Sequence, residues 1–238
     1  TYDKPPANAI DADVYNEFRA MFDGLNVRDD VRVVILRAEG RFFAPGNDVS
    51  AFQAFTPMII DSYLDLVKSG IGAIYACKHP VIGVVQGHAL GAGLAVAAVC
   101  DFIISAPEVP FGIPEIKVGI IGAAEFADLI VPRKVVNYMA LTGNPVTAEQ
   151  IHAWGGIHKI VPEDQLMDAA MELANELLGN GPIILRYFKE ALQRNLDARL
   201  IEKYNVEGSY TTRYLTTEDF MESSAAFLEK RKPVYKGR

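Results

Sequence analysis

Pro80-Val81-Ile82-Gly83-Val84-Val85, followed at once by Gln86-Gly87-His88-Ala89-Leu90-Gly91-Ala92-Gly93, is an apolar strand running into a glycine turn. The same arrangement stands upstream, where Val31 to Leu36 is a second apolar run and Phe43-Ala44-Pro45-Gly46-Asn47-Asp48 is the turn after it. Glycine lets a backbone turn tightly with its N–H groups aimed into open space. Two such turns side by side can hold a negative oxygen between amide donors, a chemical role that needs no catalytic side chain. Either turn alone is also what tight packing demands, so the pair carries weight only through its order with other motifs. Neither reads Gly-x-Gly-x-x-Gly with an acidic residue about 20 positions on, and a dinucleotide fingerprint fits poorly.

Outward from the turns, Asp11 caps a helix whose apolar positions Val14, Phe18, Met21 and Phe22 keep a helical period up to Gly24. Thr56-Pro57 sets a capping hydroxyl before proline, and Ile60, Leu64, Val67, Ile71 and Ile74 form one stripe. After the second turn comes an alanine-rich helix, then a strand over Asp101 to Ser105. Strand, helix, strand, helix, strand predicts an α/β fold with a parallel sheet and crossover helices. Beyond Pro132 the strand signal thins to Ile157 to Val161. Thr147-Ala148-Glu149-Gln150 offers a capping box, and Leu166, Ala170, Leu173 and Leu177 make a stripe closed by Gly179. Two or three further helices are expected between Pro182 and Arg231, with a boundary near Gly179 to Gly181.

With 238 residues, half of them hydrophobic, the chain can bury a sizeable core. A net charge of −7 argues against a nucleic-acid partner, which calls for a basic stripe. No run approaches the roughly 18 apolar residues of a membrane span, so no membrane partner is expected. Cys77 and Cys100 lie in apolar stretches and read as buried free thiols, which suits a reducing compartment, hence a cytoplasmic location. His79, His88, His152 and His158 fall in separate elements without metal-ligand spacing, so no metal is expected.

The two glycine turns, followed by Cys100-Asp101 and then Phe111-Gly112-Ile113-Pro114-Glu115, resemble the crotonase (enoyl-CoA hydratase/isomerase) superfamily. The likeness continues through Leu141-Thr142-Gly143, Ala148-Glu149, Gly155 to Pro162 and the closing Phe227-Leu228-Glu229-Lys230-Arg231-Lys232-Pro233, a tail similar to that of carnitinyl-CoA dehydratase-like members. It implies a spiral ββα core over residues 1–180 and a C-terminal helical region, 181–238, that assembles a homotrimer or hexamer. It also implies a strand hairpin ahead of Lys4 to Ile10, absent from a sequence that opens at Thr1. The substrate implied is an acyl-CoA thioester, with coenzyme A arriving as part of it and no separate cofactor. The N–H groups of Asn47 and Ala92 would hold the thioester oxygen. Segments around Ala7 and Ala44 would wrap the CoA nucleotide, with Gly46, Asp48 and Gly91 among the residues that bind CoA or substrate.

Family hydratases carry one catalytic glutamate just after the second turn, where this chain has Ala95, while the other position is kept as Glu115. Water addition uses two carboxylates, whereas moving a double bond needs one base that takes a proton from one carbon and returns it two carbons away. The resemblance therefore favours double-bond isomerisation with Glu115 as proton shuttle. The alternatives are a hydratase or carnitinyl-CoA dehydratase-like lyase using Glu115 with Glu125, and a catalytically silent acyl-CoA-binding scaffold. Bland readings stand beside these: Glu115 as a surface turn, Glu125 as a helix-start acid, and His88 as a structural residue. Tyr63, Phe52 and Phe55 are candidates for the acyl pocket. Lys230, Arg231, Lys232, Lys236 and Arg238 read as a solvated tail or as contacts for CoA phosphates.

Overall fold

The computed structural model of the chain describes residues 1–49, 56–197, 205, 208–209, 211–212 and 214–234. Helix α1 (Ala12–Asn26) starts where the Asp11 side chain accepts the N–H of Val14, and it runs past Gly24. It buries Val14, Tyr15, Phe18 and Phe22, whereas Met21, expected on that stripe, is exposed. The buried face is centred between Phe18 and Phe22, which leaves Met21 at its edge and brings in Tyr15.

Strand β1 (Val34–Arg37) begins later than the apolar run, because pairing starts at Val34, whose N–H bonds the carbonyl of Pro80. Helix α2 (Pro57–Tyr75) is capped by Thr56, which accepts from Ile59, with proline in its first turn. There follow β2 (Val81–Val85), β3 (Ala89–Leu90), α3 (Ala92–Ala98) and β4 (Phe102–Ser105). After them come β5 (Pro110–Gly112), α4 (Ala124–Ala127), α5 (Arg133–Thr142), β6 (Val146–Thr147) and α6 (Ala148–Ala153), which opens on the expected Thr147–Gln150 capping box. The remaining elements are β7 (Lys159–Ile160), α7 (Leu166–Leu178), α8 (Pro182–Asp197) and α9 (Glu218–Leu228).

Strands β1, β2, β4 and β7 form a parallel sheet in that order, with Val34 beside Val81, Ile82 beside Phe102 and Ile104 beside Lys159. All of β2 and all of α3 are buried, as a strand and helix enclosed on every side must be. A second sheet, β3–β5–β6, was not anticipated, since strands of two or three residues leave no periodicity to read. It positions everything that follows. Ala89 of β3 pairs parallel with Phe111 on one side and with Ala44 on the other, so the first glycine turn runs alongside the second.

One core cluster extends from Ile10 to Ala174. A smaller one joins Ile60 of α2 to Leu215 and Phe220, so the C-terminal region folds back over α2. Helix α8 is fastened separately: the buried Lys189 ammonium bonds Asp101 Oδ2 at 2.6 Å and the carbonyl of His79 at 2.9 Å. No helix among the described residues is long and apolar enough to cross a membrane.

Candidate active site

Parallel pairing explains why the two turns meet. Ala44 and Ala89 are register partners, and three residues downstream of each in the same direction stand Asn47 and Ala92. Asn47 is also the centre of a bridge to Ile10, in which Ile10 bonds the carbonyl of Gly46 and the N–H of Asp48. That ladder uses the peptides on either side of Asn47, so the Asn47 N–H faces away from it. Ala92 is the first residue of α3, and the N–H groups of a first helical turn have no partner within the helix. The helix end adds partial positive charge there.

Glycine is required at two points of the second turn. Gly91 sits at φ 52°, ψ −118°, a conformation other residues avoid, and a methyl group on it would lie 2.8 Å from Glu115 Oε1. A methyl on Gly93 would come within 2.1 Å of the Ala44 carbonyl, so α3 lies directly against the first turn. Glu115 arrives by the same sheet: Leu90 pairs with Gly112, the Gly91 N–H bonds the Gly112 carbonyl, and a 3₁₀ turn at Pro114–Lys117 carries the carboxylate over Gly91.

These groups line one cavity, with about 960 Å³ of open space including its mouth. Gly46, Asn47, Gly91, Ala92 and Glu115 form its polar wall, and Ala95 stands one turn of α3 beyond Ala92. Apolar side chains of α2 and of the 118–126 segment close the rest, as in small-molecule sites generally. Tyr15 and Tyr63 face it from α1 and α2.

The family model for enoyl-CoA hydratase/isomerase matches residues 1–238. The chain belongs to that family. Carnitinyl-CoA dehydratase of Escherichia coli O157:H7 is 36% identical over 248 residues, covering all of this chain and 94% of that protein, and the same enzyme of Salmonella enteritidis PT4 is 35% identical. Among solved structures, an enoyl-CoA hydratase/isomerase from Pseudoalteromonas atlantica T6c superposes with a TM-score of 0.83 at 25% identity, covering 96% of this chain and 91% of that one. An enoyl-CoA hydratase from Mycobacterium avium subsp. paratuberculosis gives 0.82 at 24% identity over 96% and 89%. The fold is therefore the crotonase fold, as the resemblance implied.

In this enoyl-CoA hydratase/isomerase family member the remaining expected site residues are spread more widely. Glu125, read from sequence as a second acid for the acyl pocket, is not among the residues lining this cavity, where Ala123 and Phe126 hold the wall; its side chain is 12% exposed and accepts the Arg133 guanidinium at 3.2 Å through Oε1. Ala44 is fully buried behind the wall, its N–H and carbonyl bonded to His88 and Leu90, so it supports the turn from beneath. Asp48 is exposed beyond Asn47, and Ala7 is half-buried outside the cavity wall. Tyr63 is in the wall, and burial followed by the Asp11 and Asp48 carboxylates pushes its phenol up, so it stays neutral. Phe52 and Phe55 lie outside the described residues, as do Lys236 and Arg238. Arg231 of the tail is engaged by Glu222 and Glu229. His88 stacks edge-on against Phe42, a packing role. Cys77 and Cys100 are free and buried, and burial pushes both thiols up.

Sequence reasoning missed Tyr15, whose hydroxyl bonds Asn47 Oδ1 at 2.6 Å, and the C-terminal contributors Thr211 and Phe227. The one available signal for Tyr15 was a phenol on an otherwise apolar helix face. For Thr211 no signal existed, and Phe227 was read only as the start of the tail motif, since only the chain folding back over α2 brings them there.

Proposed function

We propose that the protein is an acyl-CoA isomerase that moves a carbon–carbon double bond along the acyl chain. In this reading Glu115 removes a proton from the carbon next to the thioester, charge moves onto the thioester oxygen, and the N–H groups of Asn47 and Ala92 hold that oxygen. Glu115 then returns the proton two carbons further on, and atoms and charge balance without water or a separate cofactor. The supporting observation is one carboxylate against the Gly91–Ala92 turn with a methyl group, Ala95, where a second acid would stand. Because the enolate is held by backbone donors fixed in advance, the base has only to shuttle the proton.

The test is Glu115→Gln, which keeps the shape of the side chain and removes the base. A 3-enoyl-CoA should be converted about 10²–10⁴-fold more slowly, with acyl-CoA binding retained; turnover unchanged by the substitution refutes the role. A dehydratase reading is favoured by the names of the 36%-identical relatives, and it predicts that a 3-hydroxyacyl-CoA loses water in the parent and not in Glu115→Gln. Failure of the parent to turn over any enoyl- or hydroxyacyl-CoA that it binds would point to the silent scaffold. We further propose a cytoplasmic homotrimer or hexamer built on the 181–238 region, a reading supported by the apolar face that α8 leaves exposed at Ile183, Ile184, Tyr187, Phe188 and Leu192.

A further inference from the structure

We propose that Tyr15 is a positioning residue that aligns the oxyanion-holding turn through the side chain of Asn47; this rests on the cavity being an enolate site. Tyr15 is completely buried, and the other side chains α1 buries are all apolar. A phenol placed among them is there for its hydroxyl, and that hydroxyl donates to Asn47 Oδ1 at 2.6 Å.

The turn has need of such an anchor. Gly46, at φ 117°, offers no side chain to restrain it, and the bridge to Ile10 consists of two backbone bonds, through Gly46 and Asp48. Those bonds fix the peptides flanking Asn47 from one side. The Tyr15 bond fixes Asn47 itself from the cavity wall, so its N–H cannot swing when charge arrives on the bound oxygen. Oxyanion donors help only when held within about 0.5 Å and 10–20° of the productive geometry.

Tyr15 is itself held. A methyl group on Gly70 of α2 would lie 2.8 Å from the Tyr15 ring and 2.9 Å from its carbonyl oxygen, so the two helices touch at this point. Tyr63 packs edge-on against the ring at 6.3 Å between centroids. A rigid helix pair therefore reaches the thioester oxygen through one phenol and one amide.

The test uses acetoacetyl-CoA, whose enolate absorption rises when its oxygen is stabilised, and a thioether analogue that lacks the carbonyl. Tyr15→Phe should bind the thioether analogue within about twofold of the parent. Its bound-enolate absorption and kcat should fall about tenfold with KM steady, a smaller loss than the 10²–10³ of removing an oxyanion donor outright. Asn47→Ala keeps the peptide N–H and loses Oδ1, reaching the same bond from the other partner. It should show the same loss, and the double variant should lose no more than either single one. An enolate band that Tyr15→Phe leaves intact overturns the inference, as do losses that multiply in the double variant. A parent that binds acetoacetyl-CoA without any enolate band removes the underlying site reading, and this inference with it.

Discussion

Gly91 and Glu115 constrain one another. Alanine at 91 would have to adopt φ 52°, ψ −118°, with its methyl 2.8 Å from a carboxylate oxygen, so either the turn or the Glu115 side chain must move. Gly91→Ala is expected to cost about 1–3 kcal/mol of stability, read as a lower urea midpoint, together with a large fall in isomerisation. Ala95 tests the opposite change. It is 1% exposed and in the cavity wall, so Ala95→Glu sets a buried carboxyl one turn from Ala92, raises its pKa by desolvation, and should add measurable hydration of a 2-enoyl-CoA. No gain in hydration, in a folded variant that still binds acyl-CoA, would mean that this position does not face the reacting carbons. Glu115 was legible as a residue because Phe111 to Glu115 is a motif, whereas Tyr15 was not, because its role depends on a partner 32 residues away.

Between residues and fold, the deciding element is β3 with its following turn. Its two residues pair with Ala44 and β5 at once, and this brings the two glycine turns and Glu115 to one place. Helix α3 makes a clean test possible. Proline is well tolerated at a first helical position, where the N–H has no helical partner, so Ala92→Pro should retain its far-ultraviolet circular dichroism while losing the donor. The expected fall in kcat is about 10²–10³, and activity within tenfold of the parent would sink the assignment. Helices α1 and α2 were both readable from caps and stripes, yet the close approach of Gly70 to Tyr15 was not. Gly70→Ala should push Tyr15 aside and lower both the unfolding midpoint and kcat, while Gly72→Ala, with open space at its Cβ position, should leave the helix contact unchanged.

Across the whole molecule, a buried ion pair is one of the polar ties that join the C-terminal region to the core. Lys189 is 6% exposed on its side chain and Asp101 24%, and Asp101 Oδ2 also accepts the N–H of Val81 at the head of β2. Lys189→Met leaves that carboxylate without its cation and the His79 carbonyl without its donor. The solvent access of Asp101 should hold the cost to about 3 kcal/mol, the low end for breaking a buried pair, measurable by urea unfolding. The exposed apolar face of α8 leads to the other large-scale prediction: sedimentation at micromolar concentration should give a trimer or hexamer, and Phe188→Glu should dissociate it. A monomeric parent would count against the assembly.

Local chemistry was enough to specify the capped starts of α1, α2 and α6, the enclosed strands of the parallel sheet, and the two glycine turns, because each depends on residues adjacent in the chain. The motif order was enough to point to the family. Only the tertiary structure decided that Met21 faces solvent and Tyr15 the cavity, that Glu125 pairs with Arg133, and that Thr211 and Phe227 reach the site. Each of these depends on the rotation of a helix against its neighbour or on a contact between distant segments, and no periodicity or spacing along the chain encodes either one.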